Sequence, residues 1–280
     1  MHIKIFLLPF VMILVISCNL PFLRNSISED RVAAQVSLAK TATMKSQEWI
    51  TPPPPSSPTQ PGMPSITVEP SNTPSPEPSI TSTSIDFASQ LGVPYYSNPM
   101  SSGSPFGLDS EGYDDGYTRI VMADGGMVLT SYSTNGWRGW RLTDRGLNDF
   151  YLEGTFITGV CNGKDQYGLV FRAPDYSTGE GYYFGATCDG QYSLLLFDGD
   201  RYRTLIELTP SEKIKQGSTQ TNRLGVLAEG PSIELFLNGE KKGNVNDSTY
   251  LTATKVGAFI LGGNTPGFNV KLDQLNMWAR

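Results

Sequence analysis

Asn135-Gly-Trp-Arg-Gly-Trp-Arg-Leu142 holds two of the chain's four tryptophans. An indole face offers apolar surface to a sugar ring, and a guanidinium such as that of Arg172 donates in a planar fork to hydroxyls or carboxylates. In a strand, Trp140 and Leu142 point one way while Trp137 and Arg141 point the other. Trp140 is therefore expected in the core, and Trp137 is either a sugar-stacking platform or packed. Asp165-Gln-Tyr-Gly-Leu-Val-Phe-Arg172 supplies a second candidate. Tyr167, Leu169 and Phe171 alternate onto one face, so Arg172 is expected on the opposite one. There it either meets a ligand or pairs with Asp175 or Glu180 as scaffold. Tyr183 would lie opposite Tyr182 and Phe184 and join Arg172. Trp137, Arg172 and Tyr183 are thus the candidate ligand-binding residues.

Other chemistries find less support. The chain holds a single histidine, His2, which removes Ser-His and Cys-His catalysis and histidine metal sites from the domain. Ser37-Leu-Ala-Lys40 matches a Ser-x-x-Lys pattern but lacks its partner motifs and any surrounding core. Asp109-Ser-Glu-Gly-Tyr-Asp-Asp-Gly116 gathers hard oxygen ligands, yet its spacing matches no calcium loop, so it reads as a solvated turn. Asp165, Asp175 and Glu180 are acids whose spacing singles out no catalytic pair. No catalytic residue, metal or cofactor is assigned.

The N-terminus says where the chemistry takes place. Met1-His2-Ile3-Lys4 precedes an apolar run from Ile5 to Ile16, the layout of a secretory signal. The run is short for a membrane span, which needs ~20 apolar residues, and Pro9 interrupts it. Val15-Ile16-Ser17-Cys18 resembles the lipobox of bacterial lipoproteins. The resemblance implies that residues 1–17 are cut away and that Cys18 carries lipid, leaving an extracytoplasmic protein held at the cell membrane. An ordinary signal with a chance cysteine, or an uncleaved anchor, are the alternatives. Losing Lys4 takes the basic count from 21 to 20 against 27 acidic residues, a net charge of −7. That balance argues against nucleic acid or anionic lipid as partners.

Residues 18–50 form a lipidated tether, with Val32, Ala33, Val36 and Ala39 at weakly helical spacing; the segment is either a short helix or disordered. Residues 51–85 hold 11 of the chain's 20 prolines among Ser and Thr. Such a linker favours extended polyproline II and reaches roughly 100 Å. Residues 86–280 are then a single β domain held away from the membrane. Turns rich in Gly, Asn and Asp recur between strand-like runs. Leu152, Phe156 and Val160 share a face, as do Ile233, Leu235 and Leu237, with Asn238-Gly239 as a hairpin turn. Phe268, Val270 and Leu272 alternate, then the phase slips to Leu275 and Met277, predicting a bulge near Asp273. An all-β sandwich of two antiparallel sheets is expected.

Cys161 and Cys188 each end a strand-like run. Outside the cytoplasm the two most simply pair, which would stabilise by ~3–4 kcal/mol in the chain-entropy model; two free thiols are the alternative.

From about Trp137 to Trp278 the chain resembles concanavalin A-like jelly rolls of the laminin-G and 3-keto-disaccharide-hydrolase-like kind. The carrying pieces are Asp165–Arg172, Gly181-Tyr-Tyr-Phe-Gly185, Asn222–Gly230, Ile233–Gly239 and Leu272–Trp278. The resemblance implies a jelly roll with a concave, often glycan-binding face. Gln220-Thr-Asn222 stands where the hydrolase-like relatives carry Gly-x-Trp-Asn, and the paired-carboxylate strand of jelly-roll glucanases is absent. The leading expectation is a non-catalytic domain binding a glycan, a cell-envelope polymer or another surface ligand. A glycoside hydrolase with an unrecognised carboxylate site and a structural or protein-interaction module remain open.

Overall fold

The computed structural model describes residues 86–280. The signal, Cys18, the tether, the Ser37–Lys40 match and the linker lie outside these residues. Strands form two antiparallel sheets stacked as a jelly-roll sandwich. The nine-stranded sheet contains β1 (Tyr96–Asn98), β2 (Tyr113–Asp114), β3 (Thr118–Ala123), β4 (Gly126–Ser131) and β6 (Phe150–Thr158). It is completed by β11 (Thr221–Glu229), β12 (Ser232–Leu237), β13 (Glu240–Asn246) and β15 (Phe268–Ala279). The six-stranded sheet contains β5 (Arg138–Thr143), β7 (Gln166–Ala173), β8 (Gly181–Thr187), β9 (Gln191–Phe197), β10 (Tyr202–Pro210) and β14 (Lys255–Leu261). Its order is β10-β9-β8-β7-β14-β5, so β5 is an edge strand. On the nine-stranded sheet the corresponding edge is β2.

Alternation produces the core between the sheets. Leu152 and Phe156 face inward from β6, and Ile233, Leu235 and Leu237 from β12. Tyr167, Leu169 and Phe171 meet them from β7, with Tyr182 and Phe184 from β8. The expected bulge in the last strand is present: the pairing of β15 with β6 shifts between Leu272 and Gln274. Val160 departs from expectation. β6 ends at Thr158, the chain turns away, and Val160 is exposed. Cys161 and Cys188 are disulfide-bonded with Cα atoms 5.5 Å apart, joining the β6–β7 loop to the turn after β8.

Both sheets also carry apolar residues on their outer faces. On the nine-stranded sheet, Tyr151, Phe236 and Trp278 are covered by Phe87 and Leu91 of the entering chain. On the six-stranded sheet, Leu142, Val170, Tyr183 and Phe259 form a cluster flanked by Trp140 and Leu195. Trp140 thus points with Leu142 as expected, but onto this outer face and not into the core between the sheets.

Candidate functional site

The Trp-Arg-Gly-Trp-Arg stretch becomes the edge strand β5 and the residue before it. Beside it lie two depressions, of about 500 and 360 Å³. They share Trp140, Arg141 and Tyr176 as walls and so form one trench along the strand. One end is closed by Ser104–Gly107 and Arg145, the other by Tyr113, Asp115 and Trp137.

Each wall is held from a different part of the chain. Gly139 lets the two sheets' edges close on each other, because a Cβ there would meet Thr118 Cγ2 at 2.4 Å. Trp137 and Tyr117, one from each edge, stack at 4.7 Å with their planes 31° apart. They remain 44% and 53% exposed. Trp140 is gripped by the loop over residues 174–180: its Nε1 donates to the Tyr176 carbonyl at 3.0 Å. Gly179, at a φ of +73°, has Trp140 ring atoms 3.0 Å from where a Cβ would stand. Tyr176, 49% exposed, carries the Lys255 ammonium 5.0 Å from its ring.

Two of the trench's three arginines are held by rings. The Arg141 guanidinium lies 4.2 Å over Tyr113, and desolvation holds its pKa below the ordinary arginine value. Arg138 leaves the other face of the strand and lies 4.8 Å over Tyr183 and 4.6 Å over Tyr202. It therefore roofs the middle of the outer cluster on the six-stranded sheet. On that face, a separate groove of about 370 Å³ is lined in part by Arg138, Gln166, Ser193 and Leu261. Gln166 Nε2 donates to Ser193 Oγ at 2.9 Å across it.

Of the three sequence candidates, Trp137 alone lines the trench. Arg172 is a correction. A bulge shifts the β7–β14 pairing between Lys255 and Gly257, and Arg172 sits there at a φ of +46°. The alternation that placed it on the outer face fails at that residue. Its side chain is fully buried, donating to the carbonyls of Gly230 at 2.7 Å and Asn148 at 2.8 Å. It lies 3.6 Å from the Asp149 carboxylate, with neither Asp175 nor Glu180 as partner. Arg172 is a pin between the sheets. Tyr183 is corrected too. It projects away from Tyr182 and Phe184 as expected, but it is buried beneath Arg138 and does not join Arg172. Its hydroxyl donates to the Gly179 carbonyl, and burial pushes its pKa up.

The acids singled out in the sequence are also engaged. Asp165 Oδ1 accepts the backbone N–H groups of Gly263, Asn264 and Thr265. Asp175 caps its own turn through Ser177, and Glu180 accepts from the Tyr250 hydroxyl at 2.9 Å. Asp109 Oδ1 accepts from Glu111 N and Gly112 N, both at 2.9 Å.

Sequence reasoning missed Tyr113 and Tyr117, which come from the edge of the other sheet, and Tyr176, which the loop after β7 brings over Trp140; none of these contacts is visible to local periodicity. It also passed over Arg138 and Arg141 as binding groups. The usable signal was the repeat itself: an arginine directly after each tryptophan, three residues apart.

No protein-family model matches the chain, and no curated protein matches it. Among solved structures it is similar to a carbohydrate-binding module of Bacillus subtilis, with 16% identity, 57% of this chain and 91% of that chain covered, and a TM-score of 0.46. It is similar to a GH43 protein of Bacillus licheniformis at 14% identity, covering 60% of this chain and 35% of that one, with a TM-score of 0.46. A galectin of Caenorhabditis elegans is 13% identical over 59% of this chain and 99% of its own, with a TM-score of 0.36. These likenesses are distant, and none assigns a ligand.

Proposed function

We propose that the chain is an extracytoplasmic lipoprotein, tethered through Cys18, whose jelly-roll domain binds carbohydrate without cleaving it. The trench beside β5 is the binding site. The observation that carries this reading is the exposed Trp137–Tyr117 stack at one end of a trench walled further along by Trp140 and Tyr176. Large aromatic faces left open in a concavity match the C–H faces of a sugar ring, and fixed polar groups around them match its hydroxyls. Lack of cleavage is supported by Asp115, the acid on that wall. Both its oxygens are already engaged, by Tyr117 N and Thr118 N on one side and the Tyr113 hydroxyl on the other.

Affinity electrophoresis of the full chain against a panel of polysaccharides tests the reading. At least one polymer should retard it, and Trp137→Ala should weaken that binding about tenfold, the loss of one stacking contact. The melting temperature should not move. Binding to no polymer, or full binding by the variant, refutes the site. The anchor is tested separately: Cys18→Ala should abolish fatty-acid labelling in cells.

A further inference from the structure

We propose that the trench selects an acidic glycan, whose carboxylate or sulfate group is received by Arg141 with Arg138 beside it. This rests on the carbohydrate-binding reading above. Arg119, Arg145, Arg172, Arg203, Arg223 and Arg280 each reach a carboxylate within 4.0 Å. Among the described residues Arg138, Arg141 and the exposed Arg201 reach none, and the Nε atoms of Arg138 and Arg141, like that of Arg172, are buried without a hydrogen-bond partner. Arg138 and Arg141 nevertheless line the same depression as Trp137.

Ring faces explain how these groups are held but not what they are for. Tyr113 beside Arg141, and Tyr183 and Tyr202 beside Arg138, hold each guanidinium by its charge and offer it no carboxylate or carbonyl acceptor. The in-plane donors are the ones that match a carboxylate or sulfate bidentately. Asp115 stands on the same wall with its oxygens turned to Tyr113, Tyr117 and Thr118. In the other depression Asp144 lies 4.0 Å from Arg145. A stacking platform beside two guanidiniums without carboxylate partners favours a sugar that brings its own negative charge.

The chain's overall charge sharpens the point. With a net charge of −6 it repels polyanions at long range. Preference for an acidic polymer would have to arise locally.

Affinity electrophoresis of the full chain with polygalacturonate against its methyl ester, and with dextran sulfate against dextran, isolates the charge on a constant backbone. The expected result is about tenfold tighter binding to at least one charged form than to its neutral partner, the scale of a charge-assisted pair. Arg141→Gln should bring that ratio close to one, and Arg141→Lys should restore part of it. Should Arg141→Gln fail to fold, the lysine variant carries the test through a ratio below that of wild type. Equal binding of charged and neutral forms by wild type overturns the inference and leaves the carbohydrate reading standing. An undiminished ratio in both variants also overturns it. Binding to no polymer overturns the carbohydrate reading, and the inference with it.

Discussion

Two surfaces of the sandwich set arginines against aromatic rings, and they treat the charge in opposite ways. On the outer face of the nine-stranded sheet, Arg223 lies between Asp86 and Glu153. Tyr151 donates to Glu153 at 2.9 Å, and Phe87 closes the surface by stacking on Phe236 at 4.6 Å. The guanidinium has acceptors and the rings have partners. Along β5, Arg141 has a ring and no acceptor, and Trp137 and Tyr176 keep much of their faces in solvent. The first surface is finished by the chain itself. The second is left open to solvent. Stability should therefore reside in the first and binding in the second.

The strongest way to break this comparison uses a third arginine, the pin Arg172. Arg172→Met deprives the Gly230 and Asn148 carbonyls of their donors, at ~1–3 kcal/mol each. Urea denaturation should show a loss of about 3–5 kcal/mol with polysaccharide affinity unchanged in the folded fraction. An affinity loss equal to that of Trp137→Ala would return Arg172 to the binding site.

A smaller effect is expected at Phe87, which also meets Tyr151 edge-on with centroids 4.9 Å apart. The ring is only partly buried, so Phe87→Ala should cost about 2 kcal/mol, below the 3–5 kcal/mol of an enclosed ring. Binding should again be unchanged. A stability loss below about 0.5 kcal/mol would mean that this surface is not closed in solution.

These contrasts also show what sequence periodicity can carry. Ile233, Leu235 and Leu237 were legible because strict alternation has one solution when a core lies on one side. The bulge near Asp273 was legible because apolar residues continue after it, so the slip from Leu272 to Leu275 leaves a trace. The bulge at Arg172 leaves none: Ala173 and Pro174 end the strand before any later apolar residue can reveal the changed phase. Trp140 was assigned the right companion and the wrong layer, because the six-stranded sheet is apolar on both faces and alternation cannot tell them apart. The trench was legible only at Trp137. Its other walls draw on chain segments 72 residues apart, at Ser104 and Tyr176, and the approach of the two sheet edges together with the Tyr176 loop's grip on Trp140 brings them together.

The finest test asks whether the closed surface is as well compensated as its hydrogen bonds suggest. Glu153 is buried, and burial pushes its carboxyl above the ordinary glutamate value, against the opposing pull of Arg223. In the unfolded chain the group ionises near 4.3. The folded chain holds the proton to higher pH, so this site's contribution is whole below the unfolded value and is lost as pH rises through the folded one. Glu153→Gln fixes the group in its neutral shape. Titrating residues away from this cluster contribute equally to both proteins and cancel in the difference. The variant should therefore gain on the wild type as urea midpoints are followed upward through the carboxylate range. If the wild type gains instead, the Arg223 pair outweighs desolvation, and the closed surface is held by its charges more than by its rings.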